Sequence, residues 1–283
     1  MSKIGALVLF SVAAMTAAPA TGIPASEPAA VMAMPPGEAG AKAALERSPR
    51  HHEWVDLSVP ETGGKVAAFV AYPERKDKAP VVIVIHEVYG LTDWIRAVAD
   101  RLAADGFIAI APDFLSGRGP GGGGTDKFAS RDDVVKAVRG LGAADVTAVL
   151  DAAERYGKAL PAASGKAATM GFCWGGGQSF DYATKRPDLG AAVVFYGPSP
   201  DNNALTGVRA PVLGLYGGDD ARVNATVGPA AARMKELGRS FAEHTYPGAG
   251  HGFLRAQDGR DGANLAASGK AWQAALDHLR KHL

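Results

Sequence analysis

The sequence contains only one cysteine, Cys173, in 283 residues. A disulfide within the chain is therefore excluded, and so are the disulfide frameworks that hold many small exported domains together. A lone cysteine is commonly a small buried hydrophobic residue. It can also be a reactive thiolate, and the residue count alone leaves both interpretations open.

An excess of charge of one sign is also absent, because 30 basic and 29 acidic residues nearly cancel. A long-range field that would attract nucleic acid or an anionic membrane is therefore not expected. The spacing of histidines and carboxylates matches no metal-binding motif such as His-Glu-x-x-His, so no metal or other cofactor is predicted. The hydrophobic content of 47% is ordinary for a globular protein with a large core.

The apolar run at residues 4–14 is too short to span a bilayer comfortably. With Lys3 before it and Ala18-Pro19-Ala20 after it, this run predicts a signal peptide over residues 1–20 and an exported protein, periplasmic or secreted. The alternatives are an uncleaved membrane anchor and a disordered tail, and stable membrane association is not expected after cleavage. Residues 21–48 are rich in Ala, Pro and Gly, which predicts a flexible segment before a domain at residues 49–283.

The predicted domain alternates between strand and helix patterns. Residues 53–59 and 65–72 predict an antiparallel hairpin at a sheet edge. The continuous apolar run at residues 81–85 is typical of a parallel strand that helices cover on both faces. Further strands are expected at residues 107–111, 167–172, 191–196, 212–216 and 241–246, with helices between or after them. The pattern predicts an α/β fold with a mostly parallel, doubly wound sheet flanked by helices.

Residues 171–176 read Gly-Phe-Cys-Trp-Gly-Gly at the junction of a predicted strand and a predicted helix. This is the form of a nucleophile elbow, with Cys173 as the nucleophile. Glycines on both sides let the strand and the helix pass closely. The N-terminus of the helix favours a thiolate and stabilises an oxyanion. The motif and its position together predict a catalytic rather than a structural cysteine.

His251 follows the last predicted strand in a glycine-rich turn, at the same sheet edge as the elbow. It is the predicted general base, and His86, at the end of strand 81–85, is its main alternative. Asp219 and Asp220 follow strand 212–216, and an acid there orients the imidazole. Spacing alone does not distinguish these two aspartates. The order nucleophile, acid, histidine is that of α/β-hydrolases.

Five linked segments resemble the dienelactone hydrolase family, whose members have the α/β-hydrolase fold and a Cys-His-Asp triad. The segments are VIHEVYG at 84–90, APD at 111–113, MGFCWGG at 170–176, LYGGDDARV at 215–223 and YPGAGHGF at 246–253. In the family's Asp-x-x-Val pattern the catalytic acid precedes the valine by three positions. The resemblance therefore implies that Asp220 is the acid and that Cys173 forms a thioester with a small ester or lactone.

The resemblance implies further roles. The family glutamate at the position of Glu87 contacts the resting thiol and keeps it protonated until substrate binds, since a nearby carboxylate disfavours a second negative charge. The backbone N–H groups of Val88 and Trp174 are expected to form the oxyanion hole. Arg255 matches a family position that holds a substrate carboxylate. Arg118 is expected to be a second such arginine, although its spacing is one residue longer than the family pattern.

The expected function is therefore the hydrolysis of a small ester or lactone, and the expected partner is that small-molecule substrate. A general carboxylesterase acting on xenobiotic or plant-derived esters is one alternative. A non-catalytic binding or redox-sensing module that uses Cys173 as its sensor is another. The natural substrate and the oligomeric state are encoded in none of these motifs.

Overall fold

The computed structural model describes residues 1–2, 34–61 and 64–283. The predicted signal peptide, from residue 3 onward, lies outside these ranges, as do residues 21–33 of the expected flexible segment. Within the described ranges, no helix is both long enough and apolar enough to cross a membrane.

One sheet is built from the strands of the described chain. These strands are β1 (His52–Val59), β2 (Gly64–Ala71), β3 (Ala79–Ile85), β4 (Ile108–Pro112), β5 (Ala163–Phe172), β6 (Ala191–Phe195), β7 (Val212–Gly217) and β8 (Phe241–Tyr246). Their spatial order is β1-β2-β4-β3-β5-β6-β7-β8. β2 pairs antiparallel with β1 and β4, whereas the pairs from β4 through β8 are parallel. The predicted edge hairpin and mostly parallel sheet are confirmed.

Helices cover both faces of the sheet. They are α1 (Glu38–Glu46), α2 (Asp93–Ala104), α3 (Arg131–Arg139), α4 (Ala143–Ala159), α5 (Trp174–Lys185), α6 (Ala221–Glu236) and α7 (Ala263–His282). Side chains of α4, α5 and α6 pack on one face, and those of α1, α2 and α7 pack on the other. This double cover explains why every residue from Val81 to Ile85 is fully buried and apolar.

The expectation of a flexible segment over residues 21–48 needs correction for residues 34–48. Residues 38–46 form α1, and its Ala41 is fully buried. Trp94 Nε1 donates to the Pro36 carbonyl at 3.0 Å, and Gln257 Nε2 donates to the Pro35 carbonyl at 2.8 Å. A nine-residue helix is marginal by itself, so these tertiary contacts supply its stability.

The carboxyl ends of β3, β5, β6, β7 and β8 meet at one edge of the sheet. The register pairs Ile85 with Gly171, Phe172 with Phe195, and Phe195 with Leu215, so neighbouring strands end at similar levels. β3 has β4 on one side and β5 on the other, which makes the β3/β5 junction a point where the strand order reverses. Open α/β sheets bind ligands in the crevice at such a point.

Candidate active site

Cys173 lies at the sharp turn between β5 and α5. Its backbone has φ 55° and ψ −116°, a conformation that is strained for a residue other than glycine. A Cβ on Gly171 would lie 1.9 Å from the Gly175 carbonyl oxygen, and one on Gly175 would lie 2.4 Å from the carbonyl oxygen of Ile85. Strand and helix therefore touch through their backbones, and the turn holds Cys173 partly exposed at the sheet edge.

Asp220 and His251 meet at the same edge although 31 positions separate them in the chain. The distance between His251 Nδ1 and Asp220 Oδ2 is 2.5 Å, and Asp220 is only 7% exposed. The other Asp220 oxygen accepts from the Val223 N–H at 3.4 Å and caps α6. Asp219 instead pairs with Arg260 on the surface, at 2.8 Å. The structure thus distinguishes two aspartates that spacing alone does not.

The His251 imidazole is bonded to the Asp220 carboxylate and lies near Cys173. Burial lowers its pKa, but the nearby Cys173 and Asp220 raise the pKa to about 9. The ring of Tyr196 packs edge-on against the imidazole, with 5.2 Å between centroids. Asn264 Oδ1 accepts from the Gly250 N–H at 2.9 Å and so steadies the turn that carries the histidine. With Nδ1 bound to Asp220, Nε2 is the ring nitrogen of His251 that remains for proton transfer.

Glu87 follows β3 and is almost completely buried, at 3% exposure. Burial raises the pKa of its carboxyl, and the positive charge of Arg255 offsets part of that rise. Arg255 Nε donates to Glu87 Oε2 at 2.7 Å. Within the described ranges no hydrogen bond joins Glu87 to the Cys173 thiol. The carboxylate that the family resemblance associates with the resting thiol is therefore bound to Arg255 in this structure.

The two predicted carboxylate-binding arginines lie in different surroundings. Besides Glu87, Arg255 binds Glu38, with 2.5 Å between Nη1 and Oε2. Arg118 pairs with Asp145 at the start of α4, also at 2.5 Å, and its side chain is 44% exposed. In the described part of the chain, no hydrogen bond or ion pair links Arg118 to another predicted site residue. As a substrate ligand, Arg118 stays a prediction.

The backbone N–H groups of Val88 and Trp174 make no hydrogen bond to any described residue. Trp174 is the first residue of α5, where backbone donors have no partner within the helix.

His86, the alternative base, is fully buried, and burial lowers its pKa. The neutral ring carries a single N–H, and with that proton on Nδ1 it donates to the Glu87 carbonyl, 2.7 Å away. That carbonyl shares a peptide unit with the Val88 N–H, so His86 orients the predicted oxyanion donor.

Two residues near this edge are absent from the sequence-based prediction. Tyr196 follows β6, has φ 42°, is fully buried, and its ring packs against the rings of His251 and Phe253. Its position directly after a buried strand, at the edge that carries Cys173, was the available signal. Glu38 offered no such signal, because it precedes the predicted domain. The described residues contain no group of three or more His, Cys, Asp or Glu side chains that could hold a metal ion.

Known proteins share both the sequence pattern and the fold. The model of the dienelactone hydrolase family matches residues 66–283. A "Putative carboxymethylenebutenolidase" of Salmonella typhimurium is 32% identical over 241 residues, which cover 80% of this chain and 86% of the relative. A protein of the same printed name from Saccharolobus solfataricus is 29% identical, over 77% of this chain and 95% of its own.

Solved structures agree with this relationship. A "Putative Dienelactone Hydrolase" from Klebsiella pneumoniae superposes with a TM-score of 0.70 at 30% identity, covering 81% of this chain and 99% of its own. An acylaminoacyl peptidase of Pyrococcus horikoshii, at 14% identity and a TM-score of 0.61, shares the fold over 86% of this chain and 44% of its own. The family match covers most of the sequence, and this chain therefore belongs to the dienelactone hydrolase family.

Proposed function

We propose that this protein hydrolyses a small carboxylic ester or lactone through a thioester formed on Cys173. Its family makes the chain a carboxylic ester hydrolase of the dienelactone hydrolase type. What supports the proposal is the place of Cys173 at the elbow, on the same carboxyl edge of the sheet as His251, which is hydrogen-bonded to Asp220 and whose pKa Cys173 helps to raise. A nucleophile in contact with a base, and a base oriented by an acid, is the arrangement that covalent hydrolysis requires.

In the first half of the reaction, His251 accepts the Cys173 proton and the sulfur attacks the substrate carbonyl carbon. The tetrahedral oxyanion accepts hydrogen bonds from the N–H groups of Val88 and Trp174, and one such donor contributes about 3 kcal/mol to transition-state stabilisation. When the intermediate collapses, the C–O bond breaks and the imidazolium protonates the leaving oxygen. In a lactone that oxygen stays attached to the acyl group.

In the second half, His251 removes a proton from water, and the resulting hydroxide attacks the thioester carbonyl. The C–S bond then breaks, the carboxylic acid product leaves, and the sulfur regains its proton from the imidazolium. Asp220 holds the ring in one tautomer through both halves and stabilises its protonated form. No other group is needed to balance the reaction.

Intact-mass measurement after mixing with aryl esters tests the covalent step. The wild type is expected to gain the mass of one acyl group on Cys173. Cys173→Ala is expected to gain none and to lose kcat/KM by at least about 10³-fold. Undiminished hydrolysis by Cys173→Ala would show that this residue is not the nucleophile. A wild type that neither hydrolyses esters nor becomes acylated would favour the sensor alternative.

A further inference from the structure

Arg255 lies beside the His251 turn with its charge already balanced by the protein itself. Its Nε binds Glu87 and its Nη1 binds Glu38, at 2.7 and 2.5 Å. A Cβ on Gly252, the residue after His251, would lie 3.5 Å from Arg255 Nη2. The guanidinium therefore borders the predicted site, and two carboxylates contact it before any substrate arrives.

The Glu38 carboxylate is held in position by its surroundings. The Glu38 N–H donates to the Arg255 carbonyl at 2.9 Å, so backbone and side chain both bind the same residue. The contact of Trp94 with Pro36, two residues earlier, anchors the chain where α1 begins. A negative charge in the first turn is also favoured by the helix dipole. Glu38 thus lies in a defined place although its side chain is 39% exposed.

Glu38 also links two arginines around one aromatic ring. Its second oxygen accepts from Arg131 Nη2 at 2.9 Å. The guanidinium of Arg131 lies 3.6 Å from the centroid of the Tyr89 ring, and that of Arg255 lies 5.0 Å from it. Tyr89 directly follows Val88, the predicted oxyanion donor. Two positive charges, of Arg131 and Arg255, thus meet two negative charges, of Glu38 and Glu87. Loss of Glu38 would leave one positive charge in excess.

We propose that Glu38 is a specificity-determining residue that makes this site select esters and lactones with uncharged acyl groups. An acyl group with its own carboxylate would have to displace Glu38 from Arg255 or lie beside two carboxylates, and both cost free energy. A neutral oxygen can still accept from Arg255 Nη2, which binds no described residue. This inference rests on the proposed hydrolase function. Glu38 precedes the family match, which begins at residue 66.

Two aryl esters of similar size test the selection, 4-nitrophenyl butyrate as the neutral one and 4-nitrophenyl hemisuccinate as the anionic one. Wild type should prefer the neutral ester. In Glu38→Gln the ratio of anionic to neutral kcat/KM should rise about five- to tenfold, chiefly through a lower KM for the anionic ester. The matched control is Glu46→Gln, on the same helix but paired with Lys42, and its ratio should stay within about twofold of wild type.

Succinate binding, measured by calorimetry, tests the same idea without catalysis. Glu38→Gln should bind succinate at least about fivefold more tightly than wild type, and adding Arg255→Gln should remove the gain. An unchanged ester ratio in folded Glu38→Gln, or an equal rise in Glu46→Gln, overturns the proposal. If wild type hydrolyses neither ester, the proposed function fails, and the succinate measurement alone decides the role of Glu38. If circular dichroism shows Glu38→Gln unfolded, Glu38→Ser replaces it in both measurements.

Discussion

Asp219 and Asp220 show how two identical neighbouring side chains acquire different surroundings. Spacing along the chain left them equivalent, and a family pattern implied Asp220. In the structure Asp220 turns inward to His251 and the α6 N-terminus, whereas Asp219 turns outward to Arg260. The direction of the backbone after β7 decides which carboxylate reaches the imidazole.

Replacing each aspartate by asparagine separates the two. Asp220→Asn is expected to lower kcat/KM for a neutral aryl ester by about 10³–10⁴-fold, because the amide no longer stabilises the imidazolium or its tautomer. Asp219→Asn should stay within about twofold of wild type, because its ion pair with Arg260 is exposed. Equal losses in the two variants would contradict this assignment.

The charge state of His251 is a second residue-scale prediction. Its pKa of about 9 in the folded protein exceeds the ordinary 6.5, so folding favours the protonated ring. The stability that this contributes is complete below pH 6.5 and is lost as pH rises through about 9. Proton NMR titration of the ring should give this pKa in wild type and a lower one in Asp220→Asn. An identical pKa in both proteins would show that Asp220 does not stabilise the imidazolium.

At the scale of elements, the elbow depends on the contact between β5, α5 and the end of β3. Gly175→Ala would put a methyl group 2.4 Å from the carbonyl oxygens of Ile85 and His86. Since neither backbone can move freely, we expect a loss of about 2–4 kcal/mol in the free energy of unfolding. Gly269→Ala, in α7 with open space around it, is the control and should gain up to about 1 kcal/mol. Urea unfolding of both variants measures the difference, and equal stabilities would contradict the packing argument.

Strands such as β3 were predicted from the sequence and α1 was not, because the two kinds of element differ in the source of their stability. Strands such as β3 have a continuous apolar run that only double burial explains, so the sequence indicates them directly. α1 is short, begins after two prolines and a glycine, and has one fully buried residue, Ala41. Its stability comes from contacts with residues far along the chain, including Trp94 and Arg255. Local pattern cannot report such contacts.

At the scale of the whole molecule, folding keeps a histidine of α7 neutral. His278 Nε2 contacts the Pro211 carbonyl at 3.2 Å, and burial, more than the nearby positive charge, lowers the pKa of His278 to about 4. Below pH 6.5 the unfolded chain binds a proton that the folded protein excludes. The free energy of unfolding therefore keeps its full value, as far as His278 is concerned, above pH 6.5 and decreases as pH falls toward 4.

His278→Gln keeps a donor for the carbonyl but does not titrate. We expect wild type to lose about 1–3 kcal/mol more stability than this variant between pH 6.5 and 4. His244→Gln, at an exposed position on β8, is the control for replacing a histidine by glutamine. Urea unfolding at both pH values gives the comparison. The expectation fails if His278→Gln and wild type lose stability equally.

The order of motifs along the chain was enough to predict the doubly wound sheet and to select Cys173 and His251 as candidates, because buried strands and tight turns demand particular residues locally. Asp220 was chosen over Asp219 only through the resemblance to the family pattern. Which groups surround those three depended on folding. Glu38, Tyr196 and the partners of Arg255 come from separate parts of the chain, and their meeting leaves no local pattern. The charge balance at Arg255 depends on which charged groups folding brings close to it, since Coulomb interactions depend on separation in space rather than along the sequence.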